Sequence, residues 1–132
     1  MKILLAEDDP SIQIIAKLTL QKVGGHEVVI VNNGEEAINR TQTEIFDLIL
    51  LDGMMPVMDG LEACRQLKKN PQTKNIPVIF MTAKNQQSDI DEGFKAGAIG
   101  YLVKPFDAKE LCNELLKIYN KYLFDHNNEN AA

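Results

Sequence analysis

Leu48-Ile49-Leu50-Leu51 is apolar at every position, so it has no polar face to show to water however its side chains alternate. A strand of that kind must be covered on both sides, which is the situation of a parallel sheet between two layers of helices. Similar runs recur along the chain. Strand one is read from Lys2 to Ala6, strand two from Glu27 to Val31, strand three from Leu48 to Leu51, strand four from Pro77 to Met81 and strand five from Gly100 to Val103.

Between these runs the apolar residues fall at helical spacing. Asp9-Pro10 opens the first helix, with Asp9 as cap and Pro10 in the first helical position. Ile12, Ile15, Ala16, Thr19 and Val23 mark its inward stripe, and Gly24-Gly25 stops it. Glu35 to Thr41 reads as a short helix. Asp59-Gly60 precedes a third through Leu61, Cys64, Leu67 and Lys68, broken at Asn70-Pro71. A fourth lies near Ser88 to Ala96, and a fifth runs from Ala108 to Phe124 with Leu111, Leu115, Ile118 and Tyr122 on one stripe. Alternating strands and helices of this length predict an α/β fold, a parallel sheet with right-handed crossovers and helices on both faces. The polar segment 125–132 has no apolar anchor and is expected to fray, leaving a single domain over 1–124.

Composition bounds the function. A length of 132 residues suits one domain, and a net charge of −5 argues against an electrostatic footprint for nucleic acid. Cys64 and Cys112 are not at a metal-binding spacing and read as reduced, buried or semi-buried thiols. The start, Met1-Lys2-Ile3, carries no signal peptide, and no apolar stretch is long enough to span a membrane. A cytoplasmic protein is expected.

The chemistry collects where strands end. Glu7-Asp8 follows strand one, Asp52 closes strand three, Thr82 follows strand four and Lys104 follows strand five. Open α/β sheets place their ligands at this edge. Clustered carboxylates repel and need a shared cation or shifted pKa values. Oxygen ligands of this kind suit Mg²⁺, which takes one or two carboxylates together with phosphate oxygens and water. Aspartate is also able to form an acyl phosphate. That chemistry wants a metal, a cation for one phosphoryl oxygen and a hydroxyl for another. Glu7 and Asp8 can hold the metal, Lys104 can supply the charge and Thr82 the hydroxyl. A cis Lys104–Pro105 bond would aim the lysine inward. Taken singly these residues have ordinary readings: a solvated acidic loop, a strand-end threonine, a surface lysine. Met54, Met55 and Met58 are read as packing residues, not as a soft-metal site.

Taken together, in order, the acidic pair, Leu-Leu-Asp-Gly-Met-Met-Pro-Val-Met-Asp-Gly, Thr82-Ala83 and Lys104-Pro105-Phe106 make residues 2–124 resemble the receiver domain of bacterial two-component response regulators. The resemblance implies a flavodoxin-like strand order 2-1-3-4-5. It also implies a signalling phosphoacceptor with only slow self-dephosphorylation, not an enzyme. Asp52 would accept the phosphoryl group from a histidine kinase or phosphotransfer protein. Asp8, Glu7 through water, Asp52 and the backbone carbonyl of Met54 would hold Mg²⁺. Thr82, the backbone near Ala83 and Lys104 would bind phosphoryl oxygens, and Tyr101 would be the switch aromatic. A downstream effector would read the surface of helix four, strand five and helix five. Direct binding to nucleic acid or membrane is not expected of this chain. The departures are Glu7 where Asp is commoner and Gly53 where a larger residue is usual. Met54 and Lys84 stand where such proteins tune dephosphorylation.

Two other functions compete. A phosphohydrolase with an Asp nucleophile would want an acid two positions after it, where Met54 stands. A flavin carrier on the same fold would want a hydroxyl- or glycine-rich loop after strand one, where Glu7-Asp8-Asp9 would repel phosphate.

Overall fold

A computed structural model describes residues 1–83, 87–104 and 106–131, with side chains placed for all of these except 87–89 and 127–131. Lys84 and Pro105, and with Pro105 the expected cis bond, lie outside the described residues.

Five strands, β1 (Lys2–Ala6), β2 (Glu27–Val31), β3 (Leu48–Asp52), β4 (Val78–Ala83) and β5 (Gly100–Lys104), form one sheet. Its order is β2-β1-β3-β4-β5 and every pairing is parallel. The helices are α1 (Pro10–Lys22), α2 (Gly34–Thr41), α3 (Gly60–Lys69), α4 (Gln87–Lys95) and α5 (Ala108–Ala131). The doubly apolar runs explain the layering. Ile3, Leu5, Leu48, Leu50, Ile79 and Met81 pack with Ala16 and Leu20 of α1 and Leu111 and Leu115 of α5. The alternate residues Leu4, Ala6, Ile49, Leu51, Val78 and Phe80 pack with Ala37 of α2 and Ala63, Cys64 and Leu67 of α3. A period of two along each strand thus feeds two cores, one per face.

Helix starts follow from their caps. Asp9, Asn33 and Asp59 accept hydrogen bonds from the backbone N–H of Ser11, Glu36 and Glu62, and the first is followed by Pro10 at the helix start. Gly25, at a φ of 69°, lets the chain turn out of α1 into β2.

Two elements depart from expectation. Ile15 on α1 and Val23 at its C-cap are 53% and 59% exposed, and Leu20 takes a place in the core. The buried arc is centred on Ala16 and Leu20 because the helix must meet the sheet and α5 at once. α5 continues past Phe124. No Gly or Pro stops it, and the His126 ring stacks on Tyr122 with centroids 4.0 Å apart, one turn back. Both cysteines are buried free thiols. Among the described residues no helix is long and apolar enough to cross a membrane.

Candidate functional site

β1 and β3 are adjacent and parallel, with Ala6 level with Leu51, so the residues that follow at their C-terminal ends emerge side by side. Carboxylate oxygens of Glu7, Asp8 and Asp52 lie within 4.8 Å of one another. Glu7 and Asp52 are buried at the strand ends, and Asp8, one step into the loop, is exposed. β5 brings Lys104 to the same edge from the far side of β4. Its Nζ lies 3.1 Å from Glu7 Oε2 and 3.2 Å from Asp52 Oδ1. The second oxygen of Glu7 accepts the Asp9 N–H at 3.2 Å, and Asp52 Oδ1 accepts the Met54 N–H at 3.3 Å.

A close approach fixes Asp52 from beneath. A Cβ on Gly60 would sit 2.3 Å from the Asp52 carbonyl oxygen, so only glycine lets α3 begin against the end of β3. The sequence signal for this was the Asp59-Gly60 pair, read there only as a helix start.

Three acids facing one lysine leave an excess of negative charge. Burial, and then the Asp52 charge, push the Glu7 carboxyl up to about 7, against the pull of Lys104. Burial works against the Lys104 ammonium, but its hydrogen bond to Glu7 and the charges of Asp52 and Glu7 raise its pKa on balance. Glu7 thus holds its proton to a higher pH than an ordinary carboxyl and can give it up when a cation binds. The cluster offers carboxylate oxygens from three residues, the donor type that suits Mg²⁺, so Glu7, Asp8 and Asp52 are the residues that would hold one.

Thr82, 5% exposed, stands one position beyond Met81, the residue level with Asp52 in β4. Its hydroxyl donates to the Ala83 carbonyl at 3.2 Å. Tyr101 is set apart from the acids, level with Phe80, half-buried, with its ring edge-on to Phe94 of α4 at 6.1 Å between centroids. Met54 is 64% exposed and does not pack as expected, whereas Met55 and Met58 lie against the core.

Comparison with known proteins agrees with this geometry. The model of the response regulator receiver domain matches residues 3–116. A probable transcriptional regulator of Pyropia yezoensis, ycf29, is 42% identical over 92% of this chain and 53% of its own, so the chain spans about half the length of that relative. The chemotaxis response regulator CheY4 of Vibrio cholerae superposes with a TM-score of 0.82 at 35% identity, over 89% of this chain and 97% of that one. The receiver domain of the sensor histidine kinase PA1611 from Pseudomonas aeruginosa PAO1, solved with a magnesium ion coordinated in its active site cleft, superposes with a TM-score of 0.79 at 34% identity, over 88% of this chain and 94% of that one. Fold, acid cluster and sequence similarity lead to one assignment: the chain belongs to the response regulator receiver domains, the signalling domains of two-component systems.

Proposed function

We propose that Asp52 accepts a phosphoryl group from a phosphohistidine of a histidine kinase or phosphotransfer protein. The observation that carries this reading is the Lys104 ammonium within 3.2 Å of both Asp52 and Glu7, at an edge where three carboxylates converge. An Asp52 oxygen attacks phosphorus, the O–P bond forms, the N–P bond breaks and its electron pair stays on the donor imidazole. Glu7, Asp8, Asp52 and the Met54 carbonyl are the groups to hold Mg²⁺, which when bound screens the charge of the incoming phosphoryl group. Lys104 neutralises one phosphoryl oxygen. The Thr82 hydroxyl leaves the Ala83 carbonyl for another, beside the Ala83 backbone N–H.

That turn of Thr82 is the switch. A cavity of about 220 Å³, lined by Met54, Leu61, Phe80, Thr82 and Ile90 among others, leaves room beside it. Tyr101, held against Phe94, follows Thr82 inward, and the change reaches α4, β5 and α5. There a groove of about 830 Å³ over Phe94, Tyr101, Val103 and Phe106 is the surface a downstream effector would read. Slow self-hydrolysis of the acyl phosphate resets the state. In this reading the receiver unit is 1–124, with 125–132 outside it, and it works in the cytoplasm, where this family usually resides.

Acetyl phosphate with Mg²⁺ should add one phosphoryl group, seen by intact mass, and Asp52→Asn should abolish it; labelling retained on Asp8 or Asp9 would sink the assignment. With beryllofluoride as phosphoryl mimic, Thr82→Ala should lose the chemical-shift changes that wild type shows at Tyr101.

A further inference from the structure

Gln13 lies outside the acid cluster, in the second turn of α1, yet its side chain reaches back to the loop that carries the acids. Its Nε2 donates to the Glu7 carbonyl oxygen at 2.5 Å and to Asn32 Oδ1 at 2.8 Å. Both amide hydrogens are used. The orientation follows from what surrounds it. A backbone carbonyl only accepts, so the atom facing Glu7 must be the nitrogen. Asn32 is fixed in the same way, since its Nδ2 donates to Glu36 Oε1 at 3.4 Å while its own N–H donates to the same oxygen at 3.1 Å. That leaves Asn32 Oδ1 for Gln13. Glu36 is in turn held at the start of α2 by Asn33 Oδ1, which accepts the Glu36 N–H at 2.9 Å. A directed chain of hydrogen bonds therefore runs from the cap of α2, through Asn32 and Gln13, to the end of β1.

Its end point matters because the Glu7 carbonyl and the Asp8 N–H share one rigid peptide plane. The Glu7 N–H is already tied to the Val31 carbonyl at 3.1 Å, and the Glu7 side chain to Lys104 and Asp9. Pinning the carbonyl as well fixes the rotation of the plane that precedes Asp8. The direction in which the exposed Asp8 carboxylate leaves the backbone is set by that plane, and with it the spread of the three-acid cluster.

We propose that Gln13 is a positioning residue for the divalent-cation site: by holding the Glu7–Asp8 peptide it sets the placement of Asp8 toward Glu7 and Asp52. The inference rests on the metal reading above and adds a residue that touches neither metal nor phosphoryl group. Groups that orient a metal ligand typically cost about tenfold or more in affinity when removed.

The test compares wild type with Gln13→Met, which keeps the length and helix propensity but cannot donate, and with Gln13→Glu, which sets a carboxylate against two acceptors. Two readouts are followed against Mg²⁺ concentration: the rise in melting temperature, and the rate of labelling by acetyl phosphate. In Gln13→Met the Mg²⁺ concentration needed for a given rise in melting temperature, and the half-saturating Mg²⁺ concentration for labelling, should both be about tenfold higher, while the labelling rate at saturating Mg²⁺ stays near that of wild type. Gln13→Glu should shift both at least as far. A variant that melts lower without metal but responds at the wild-type Mg²⁺ concentration would show a merely structural role and overturn the proposal. A wild type with no Mg²⁺ response at all would overturn the metal reading itself, an outcome separate from failure of the clamp alone.

Discussion

The acid edge and the α4–β5–α5 face belong to the same sheet but are built to opposite standards. Behind Asp52, every residue of β3 from Leu48 to Leu51 is fully buried, as are Ile3 to Ala6 of β1, and Gly60 locks the strand end from below. On the other side Phe94 is 47% exposed, Val103 36% and Tyr101 half-buried, around a broad groove. The first region can hold mutually repelling acids in one place because the surrounding packing overrides their repulsion. The second holds its aromatics only partly buried, so that in the proposed switch a small free-energy change at Thr82 would be enough to rearrange them. In the proposed reading, chemistry sits where the fold is over-determined and readout where it is not.

The largest effect should come from the stiff side of this contrast. Leu50→Ala opens a cavity under the acids, in the core shared with α1 and α5, and should cost about 3 kcal/mol or more of stability. Phe94→Ala, on the soft side, should cost less than about 1 kcal/mol, since much of that ring is already in water. Urea unfolding of the two variants measures both. Comparable losses would mean that the α4 face is as tightly held as the strands, and the contrast would fail.

Next in size is the pH dependence of the metal-free protein. Glu7 keeps its proton up to about pH 7 in the fold, whereas the unfolded chain gives it up near the ordinary carboxyl value of 4.5. The folded state therefore binds more protons between these values. Its stabilising contribution is complete below the lower pH and is lost as pH rises through the upper one, a change of roughly 3 kcal/mol at most. Glu7→Gln, which stays neutral, should remove that slope, and Mg²⁺ should flatten it in wild type by favouring the ionised, metal-bound form. Unfolding free energies measured in chelator at pH 5 and pH 8 decide the matter. Equal slopes in wild type and Glu7→Gln would show that burial at this edge does not hold the proton.

These two regions also differ in how far they could be read from the sequence. Leu48 to Leu51 announces a strand covered on both faces, so the sheet, its helices and the edge position of Asp52 follow from apolar pattern alone. Glu7, Asp8, Thr82 and Lys104 follow next, because each stands directly after such a run. What escaped depends on distances between elements. The stripe of α1 was read correctly at Ala16 and Thr19 but misled at Ile15 and Val23, because these satisfy a helical period as well as Leu20 does, and only contact with α5 chooses between them. Gln13 carries no sequence signal of its own, since nothing local ties it to the Glu7 carbonyl. The run of α5 beyond Phe124 was hidden by a polar composition that suits a frayed tail and a solvated helix equally.

The smallest predicted effect lies in the loop after Asp52, where the stiff region carries strain. Val57 has a φ of 67°, and it is the single non-glycine residue at positive φ among the described residues. A β-branched residue is a poor occupant of that region, because its Cβ crowds the following carbonyl. The turn around it is tight: the Met58 N–H donates to the Pro56 carbonyl at 2.7 Å, a three-residue turn with its centre on the strained side. Both flanks are held from outside, with the Met58 carbonyl accepting the Gly34 N–H at 2.9 Å and Asp59 capping α3, so the loop cannot relax by shifting. Val57 itself is 76% exposed and gains little from packing. Val57→Gly removes the strain, worth about 1–2 kcal/mol, but gives back part of it through the greater freedom of glycine in the unfolded chain. A net stabilisation of about 0.5–1 kcal/mol is expected, and Val57→Asn, which tolerates this region, should also stabilise. Thermal unfolding without metal measures it. If both variants melted below wild type, Val57 would have to be supplying packing that its exposure does not show, and the stiffness of the acid edge could no longer be credited to the buried strands and helix caps alone.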